Sequence, residues 1–170
     1  MKLDLGCGSR KAEGFLGVDI SAECGADIVH DLRVYPWPFA DDSVDEVRCS
    51  HFLEHLTGEE RMKFMDELWR VMKPGATALI VTPYWQSYGA VQDPTHQWPP
   101  ICEASYFYFN RAWRETAGVA HYPIRCDFDL NYGFWLGPDW RDKPQQEKGF
   151  ALRHYCNVAQ DLHATLKKRG

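Results

Sequence analysis

Several signals that would assign a class at once are missing from the 170-residue sequence. Its six cysteines form no C-x-x-C pair and show no regular spacing, so free thiols in a reducing cytoplasm are expected rather than a disulfide framework. No apolar run reaches the ~18 residues of a membrane span, and no signal peptide is visible. A single cytoplasmic domain is therefore expected, and the chain is long enough to bury a continuous core.

Positive charge is also scarce. Lysine and arginine number 19 against 24 aspartates and glutamates, which gives a formal net charge of −5. Such a chain has no overall attraction for a phosphate backbone, so nucleic acid is not an expected partner. The basic cluster at residues 167–169 is interpreted as a favourable charge at the end of a helix.

The first 20 residues carry the pattern around which the rest of the chain is interpreted. Residues 2–5 predict a short buried strand that runs into Gly-Cys-Gly at 6–8. The two glycines let a ligand approach main-chain N–H groups closely. A second predicted strand, at 15–20, brings Asp19 to its end, where a carboxylate can accept two hydrogen bonds from a ribose diol. The opening therefore predicts a nucleoside-binding site.

A dinucleotide is disfavoured as the ligand. The G-x-G-x-x-G fingerprint is incomplete, since Lys11 stands at its third glycine position. Asp19 also follows Gly8 sooner than the roughly 20 residues expected, and no long helix fits between them. A diphosphate would need the N-terminus of such a helix.

The remaining elements predict an α/β fold. Strands are expected at 26–30, 44–49 and 76–81, and a helix at 59–72 that begins with a capping box of Thr57 and Glu60. Continuous apolar strands separated by connections and a helix indicate a parallel sheet with crossovers. In the second half, 83–125 is interpreted as a long lid loop, 124–136 and 148–157 as an antiparallel strand pair, and 158–169 as a closing helix.

A family resemblance becomes visible once these segments are placed. L-D-L-G-C-G followed by G-V-D-I resembles motif I and the acidic loop of the class I S-adenosylmethionine-dependent methyltransferases, and is most similar to the type 11 group. P-F-x-D-x-S-V-D-E-V, S-H-F-L-E-H-L and R-V-M-K-P-G follow in the family's order, so the resemblance covers about residues 3–83. It implies a Rossmann-like, mostly parallel seven-stranded sheet with an antiparallel last strand. In this single domain, residues 1–82 would bind the cofactor, and 83–170 would supply the substrate lid and closing strands.

Two departures from the family pattern are expected to matter. The chain begins at the first strand, so the N-terminal helix that usually helps cover the cofactor is absent from the sequence. The helix after the glycine loop is also reduced to a few residues. Cofactor binding could be weakened, or the covering role could pass to the aromatic segment 83–113 or to a second subunit of a homodimer.

The resemblance also assigns the cofactor contacts. Asp4 would anchor the amino group of S-adenosylmethionine, and the glycine loop would meet its amino-acid end. Asp31 would accept from the adenine amine while Leu32 packs against the ring, although Asp31 could instead cap a turn. Ser50 and His51 would lie near the sulfonium. The full set of implied contacts is Asp4, Gly6, Cys7, Gly8, Asp19, Ile20, Asp31, Leu32, Ser50 and His51.

The catalytic residues are less defined by the sequence. His96, in the Asp-Pro-Thr-His turn at 93–96, could act as a general base, or could simply pack in a turn that Asp93 caps. His51 and Tyr84 are the other catalytic candidates. Methyl transfer can also proceed largely by positioning, so no base is strictly required. The crowded aromatics of the second half favour an apolar or ring-bearing small-molecule acceptor.

Two alternatives to a methyltransferase acting on an O, N or C nucleophile stay open. His51, Glu54 and His55 spell H-x-x-E-H, which on a helix would place two imidazoles on one face, as in a zinc hydrolase. The family carries a similar motif without metal, so no metal ligand is expected. The second alternative is a non-catalytic module that binds S-adenosylmethionine and acts through a partner protein.

Overall fold

A single seven-stranded sheet forms the centre of the computed structural model, which describes residues 1–170. The strands lie in the order β3-β2-β1-β4-β5-β7-β6. Their bounds are β1 Lys2–Leu5, β2 Leu16–Asp19, β3 Ile28–Val29, β4 Val44–Ser50, β5 Met72–Pro83, β6 Phe128–Leu136 and β7 Ala159–Lys168.

The strand directions confirm the predicted α/β class. Strands β3, β2, β1, β4 and β5 pair in parallel, and β7 runs antiparallel to both β5 and β6. Leu3, Leu5, Val47 and Ile80 of the central strands are almost wholly buried. Short apolar strands with both faces covered form such parallel sheets.

The predicted capping box begins the longest helix. Thr57 accepts from the Glu60 amide at 3.3 Å, and the Glu60 carboxylate accepts from the Thr57 amide at 2.8 Å. The helix then packs Phe64 and Leu68 into the core and passes directly into β5. The helices are α1 Gly58–Val71, α2 Tyr88–Val91, α3 Glu103–Phe107, α4 Arg111–Thr116, α5 Pro138–Arg141 and α6 Gln145–His154, with 3-10 turns at Ala22–Cys24 and Leu53–His55.

The predictions for the C-terminal part were wrong. Residues 148–157 were expected to form a strand but lie largely in α6, and 158–169 were expected to form a helix but contain β7. Leu162, Ala164 and Leu166 are buried at every second position, which is the spacing of a strand. Lys168 continues that inward series, because its ammonium donates to Met72 O at 2.8 Å and to Asp42.

The segment between β5 and β6 contains structure that the sequence did not predict. The expected long loop at 83–125 holds the short helices α2, α3 and α4, and the expected strand at 124–136 begins only at Phe128. Arg61 of α1 fastens the segment by donating to Gln97 O at 3.0 Å and to Pro99 O at 2.6 Å. No helix in the structure has the length and apolar character needed to cross a bilayer.

Candidate cofactor and acceptor site

The site lies where the order of the strands reverses. Strand β1 lies between β2 and β4. The chain adds β2 and β3 on one side of β1, and then crosses over to add β4 and β5 on the other side. In open α/β sheets, ligands bind in the crevice at the carboxyl ends of the strands at such a point. The glycine loop at 6–8 follows β1, Asp19 ends β2, and Ser50 ends β4.

His51 stands at the junction of three cavities that open along this edge. Its backbone is left-handed, with φ of 55°, and its amide donates to Val81 O at 2.9 Å. The imidazole Nδ1 lies 3.3 Å from Glu54 Oε1, and Nε2 lies 3.9 Å from Asp161 Oδ1. The hydrogen bond to Glu54 raises the pKa of His51. The His51 side chain therefore borders any ligand that extends from one of these cavities into another.

The first cavity, of about 290 Å³, has the carboxylate of Asp19 in its wall. Asp19 Oδ2 accepts from the Gly8 amide at 2.9 Å, and Oδ1 accepts from the Ser21 amide at 3.0 Å. Each carboxylate oxygen has a further lone pair, so both can still accept from a ligand. Ile20, Leu32 and other predicted contacts share this wall.

Asp31 also lines the first cavity, but its carboxylate is already engaged. Arg33 donates to it through Nε at 3.0 Å and through a terminal nitrogen at 2.9 Å. This arginine holds the pKa of Asp31 below its usual value. The Arg33 amide also donates to Oδ1 at 2.9 Å, so Asp31 caps a turn while it faces the cavity.

The second cavity surrounds the glycine loop and contains the predicted contact Asp4 together with two arginines that the sequence did not single out. Asp4 is buried in its wall and accepts from the Ala12 amide at 2.7 Å. Arg48 lies 3.5 Å from the same carboxylate oxygen, and Arg10 lines the cavity as well. The remaining predicted loop contacts on this wall are Gly6, Cys7, Gly8, Ser50 and His51.

Only glycine fits at position 6. Its φ is 67°, and a Cβ there would lie 2.7 Å from Cδ2 of Phe52. The amides of Gly6 and Cys7 both donate to Val18 O, so the first turn of the loop is tied to β2. The Cys7 side chain is buried behind it, and burial raises the pKa of its thiol to about 11.

We expect Gly6→Ala to lower the free energy of unfolding by about 3 kcal/mol, the sum of left-handed strain and a close contact. Gly118 is a matched control, because its φ is 72° and nothing lies within 4 Å of the added Cβ. Gly118→Ala should therefore lose only about 1 kcal/mol. Urea denaturation of both variants measures the difference. Equal losses would show that the contact with Phe52 is unimportant.

The third cavity, of about 590 Å³, is polar. Only 1 of its 13 lining residues is hydrophobic, which does not fit the apolar acceptor expected from the aromatic content. Tyr88 is its one aromatic residue. The aromatic rings of the segment lie elsewhere: Tyr84 packs edge-on against Phe134, and Trp98 is 83% exposed.

The three catalytic candidates occupy different environments. His51 and His96 both line the third cavity. Tyr84 lines none of the three cavities, and burial raises its pKa to about 12. Asn157, Gln160 and Asp161 were missed, because they lie in the region whose secondary structure was wrongly predicted.

The H-x-x-E-H pattern does not form the helical face that a zinc hydrolase would need. Ser50 ends β4, His51 is left-handed, and Leu53–His55 form a 3-10 turn. The ring of His55 packs against the ring of His96, with centroids 4.9 Å apart, rather than beside that of His51.

Residues 3–80 match the model of a methyltransferase domain, the type 11 family. The match covers the N-terminal part of the chain, where the sequence resembles the class I methyltransferases of type 11. Over these residues it confirms the resemblance predicted from the sequence, and with it the expectation of an enzyme that uses S-adenosylmethionine. No curated protein matches the chain in sequence.

Solved structures share this fold. An S-adenosylmethionine-dependent methyltransferase from Archaeoglobus fulgidus is 22% identical, with a TM-score of 0.70, over 98% of this chain and 85% of the other. A putative methyltransferase from Haloferax volcanii, solved with the Trm112 activator, is 20% identical with a TM-score of 0.62, over 99% and 82%. Phosphoethanolamine N-methyltransferase 2 from Haemonchus contortus, bound to S-adenosylmethionine, is 16% identical with a TM-score of 0.55, over 99% and 48%.

The residues at this edge of the sheet fit S-adenosylmethionine. The two acceptor oxygens of Asp19 and the buried carboxylate of Asp4 line two cavities that meet at His51. A nucleoside half and an amino-acid half can therefore bind on the two sides of one residue. The possible homodimer stays a prediction.

Proposed function

We propose that this methyltransferase transfers the methyl group of S-adenosylmethionine to an O, N or C nucleophile of a small polar acceptor bound in the third cavity. The observation that carries the proposal is the position of His51, which lines all three cavities. The cofactor supplies an electrophilic methyl group on its sulfonium. Its sulfur would lie near His51 if the adenosine occupies the first cavity and the amino acid the second.

Each half of the cofactor finds suitable partners in this arrangement. Asp19 would accept from the ribose hydroxyls, and Leu32 and Ile20 would pack near the adenine. In the second cavity Asp4 would receive the ammonium, while Arg48 and Arg10 would bind the carboxylate. The ammonium and the carboxylate of the amino-acid group would thus each have a partner of opposite charge.

The charge of the third cavity restricts the acceptor. Its lining includes the carboxylates of Glu54, Asp93 and Asp161 and no lysine or arginine. An acidic surface repels phosphate and favours neutral or cationic molecules. A phosphorylated acceptor, such as the name of the Haemonchus enzyme indicates, therefore does not suit this cavity, and the acid lining agrees with the expectation that nucleic acid is not the substrate.

The division of labour between the halves of the chain is part of the proposal. Residues 1–82 would hold the cofactor, and 83–170 would supply most of the acceptor wall. The latter contributes Ser87, Gln92 and Asp93 from around α2, Asn157 from just before β7, and Gln160 and Asp161 from its start. Asn157 joins these two segments, since its side chain accepts from the Tyr88 amide at 2.8 Å.

Labelled methyl transfer tests the function. The chain is incubated with methyl-labelled S-adenosylmethionine and an extract separated into small molecules, proteins and nucleic acids. We expect label in the small-molecule fraction, in proportion to the S-adenosylhomocysteine formed. Label confined to protein or nucleic acid would contradict the acceptor class. Cofactor binding without turnover in any fraction would support the non-catalytic alternative instead.

A further inference from the structure

Glu54, His55 and His96 form a cluster in the wall of the third cavity that the cofactor does not explain. One possible ligand atom from each of the three residues lies within 4.8 Å of the others. Glu54 and His55 come from the 3-10 turn after β4, whereas His96 comes from the turn after α2. The fold thus brings together residues that are about forty positions apart in the sequence.

The hydrogen bonds of His55 determine which of its nitrogens is free. Thr95 Oγ1 donates its single hydrogen to Asp93 Oδ1 at 2.7 Å. The same oxygen lies 2.9 Å from His55 Nδ1, so it must accept from that nitrogen. In the neutral imidazole, Nε2 then carries the lone pair. An imidazole held in this way by an outer hydrogen bond is typical of a metal ligand.

His96 is held in the same tautomer. Its Nδ1 lies 3.3 Å from Ala90 O, and a carbonyl oxygen can only accept. Nδ1 is therefore the donor, and Nε2 of the neutral ring again carries the lone pair. Nε2 of His96 lies 3.9 Å from Asp93 Oδ2, which is beyond hydrogen-bond distance, so each of the two histidines has one nitrogen without a hydrogen bond.

Glu54 supplies the independent observation. The residue is 5% exposed, and its Oε1 lies 3.3 Å from His51 Nδ1, but its Oε2 is buried and has no hydrogen-bond partner. A buried carboxylate oxygen without a partner is costly, and a bound ion or ligand at that oxygen would remove the cost. Ser87, which lines the same cavity, also has a buried oxygen without a partner.

We propose that Glu54, His55 and His96 bind a divalent transition-metal ion in the acceptor cavity. Two imidazole nitrogens and one carboxylate suit Zn²⁺, Co²⁺ or Fe²⁺ rather than Mg²⁺ or Ca²⁺, which prefer oxygen ligands. Three protein ligands leave a coordination position open toward the cavity. This ligand set replaces His51 of the H-x-x-E-H pattern with His96, and it gives His96 the role of a ligand in place of the general base.

The metal site narrows the acceptor class, in a step that rests on the proposed function. An acceptor held at the open position must carry a group that coordinates such an ion, namely a hydroxyl, thiol, carboxylate or amine. The neighbouring Asp93 and Asp161 add the negative charge that a bound cation favours. A small chelating molecule therefore fits this cavity better than a hydrocarbon.

Metal binding by the protein alone tests the site. The chain is prepared without chelators, titrated with Zn²⁺, and then analysed for metal content after dialysis; Co²⁺ is added separately and followed by its visible absorption. We expect one ion per chain and a cobalt spectrum of low coordination number. Glu54→Gln and His96→Ala should each weaken binding at least ~100-fold, and Thr95→Val, which removes only the outer partner, about 10-fold.

His154→Ala is the matched control, since this exposed histidine of α6 lies outside the cavity. It should leave the metal affinity unchanged, and His96→Ala should leave S-adenosylmethionine binding within about threefold of the unmodified chain, because His96 does not line the cofactor cavities. No metal binding by the unmodified chain, or binding that survives both ligand variants, overturns the site. A failure of the proposed function would instead show as absent cofactor binding with the metal still bound.

Discussion

Asp19→Asn is expected to weaken the binding of S-adenosylmethionine at least ~100-fold, since a hydrogen bond to a charged group contributes about 1.5–3 kcal/mol and two such bonds are affected. Both carboxylate oxygens of Asp19 already accept a backbone amide, one from Gly8 and one from Ser21. An asparagine has only one accepting oxygen. Its amide nitrogen would face either a backbone donor or a ribose hydroxyl. The backbone amides and the ribose would then compete for the one remaining acceptor oxygen.

Asp27→Asn separates this effect from general damage near the glycine loop. Asp27 also accepts a backbone amide, that of Gly17 at 2.7 Å, and binds Lys11, but it lines neither cofactor cavity. Calorimetry should give this variant a cofactor affinity within about threefold of the unmodified chain. If both variants lose binding equally, the carboxylate of Asp19 acts only by holding the loop. If neither does, the ribose contact assigned to Asp19 is wrong.

Arg61→Met is expected to lower the free energy of unfolding by about 3 kcal/mol, because it leaves buried carbonyl oxygens without a donor. The guanidinium is nearly buried and donates to Leu53 O at 3.1 Å as well as to the carbonyls of residues 97 and 99. Burial lowers the pKa of Arg61, and no carboxylate forms a salt bridge with it. Methionine keeps much of the apolar stem but offers no donor.

Lys63→Met is the matched control on the same helix. Lys63 makes an exposed ion pair with Glu59, of a kind that contributes about 0.5 kcal/mol or less. Urea denaturation should therefore separate the two variants by more than 2 kcal/mol. Arg61→Met should also make residues 92–100 easier for a protease to cleave, since it releases them from α1. Losses of similar size in both variants would contradict the role of Arg61.

The sequence predicted the elements of the N-terminal half well because its signals are local. Continuous apolar runs, the glycine pair and the capping box of Thr57 and Glu60 each depend on neighbouring residues, and the strands and helix that they predict are present. Because the strands are parallel, their ends place Asp19 and Ser50 at the same edge of the sheet, on either side of β1. Among these elements, the predicted and observed bounds differ most for β5. It begins at Met72, before the predicted start at 76, because α1 passes into it without a loop.

The secondary structure of the C-terminal third could not be predicted from local signals. Lys168 occupies an inward position of β7, and a basic residue there hides the alternation that Leu162 and Leu166 would otherwise show. Its partner Asp42 is distant in sequence, so nothing local marks Lys168 as buried. The wall of the third cavity also depends on contacts between distant residues. Asp161 reaches it because β7 pairs with β5, and Asn157 because it is hydrogen-bonded to Gln86 and Tyr88.

Titration calorimetry of S-adenosylmethionine into the unmodified chain tests the central claim most directly, that the two cavities beside His51 form one cofactor site. We expect saturable binding of one molecule per chain, and competition by S-adenosylhomocysteine for the same site. No heat of binding with a correctly folded protein would contradict the account. The fold would then be that of a methyltransferase without the cofactor site assigned to Asp4, Asp19 and His51.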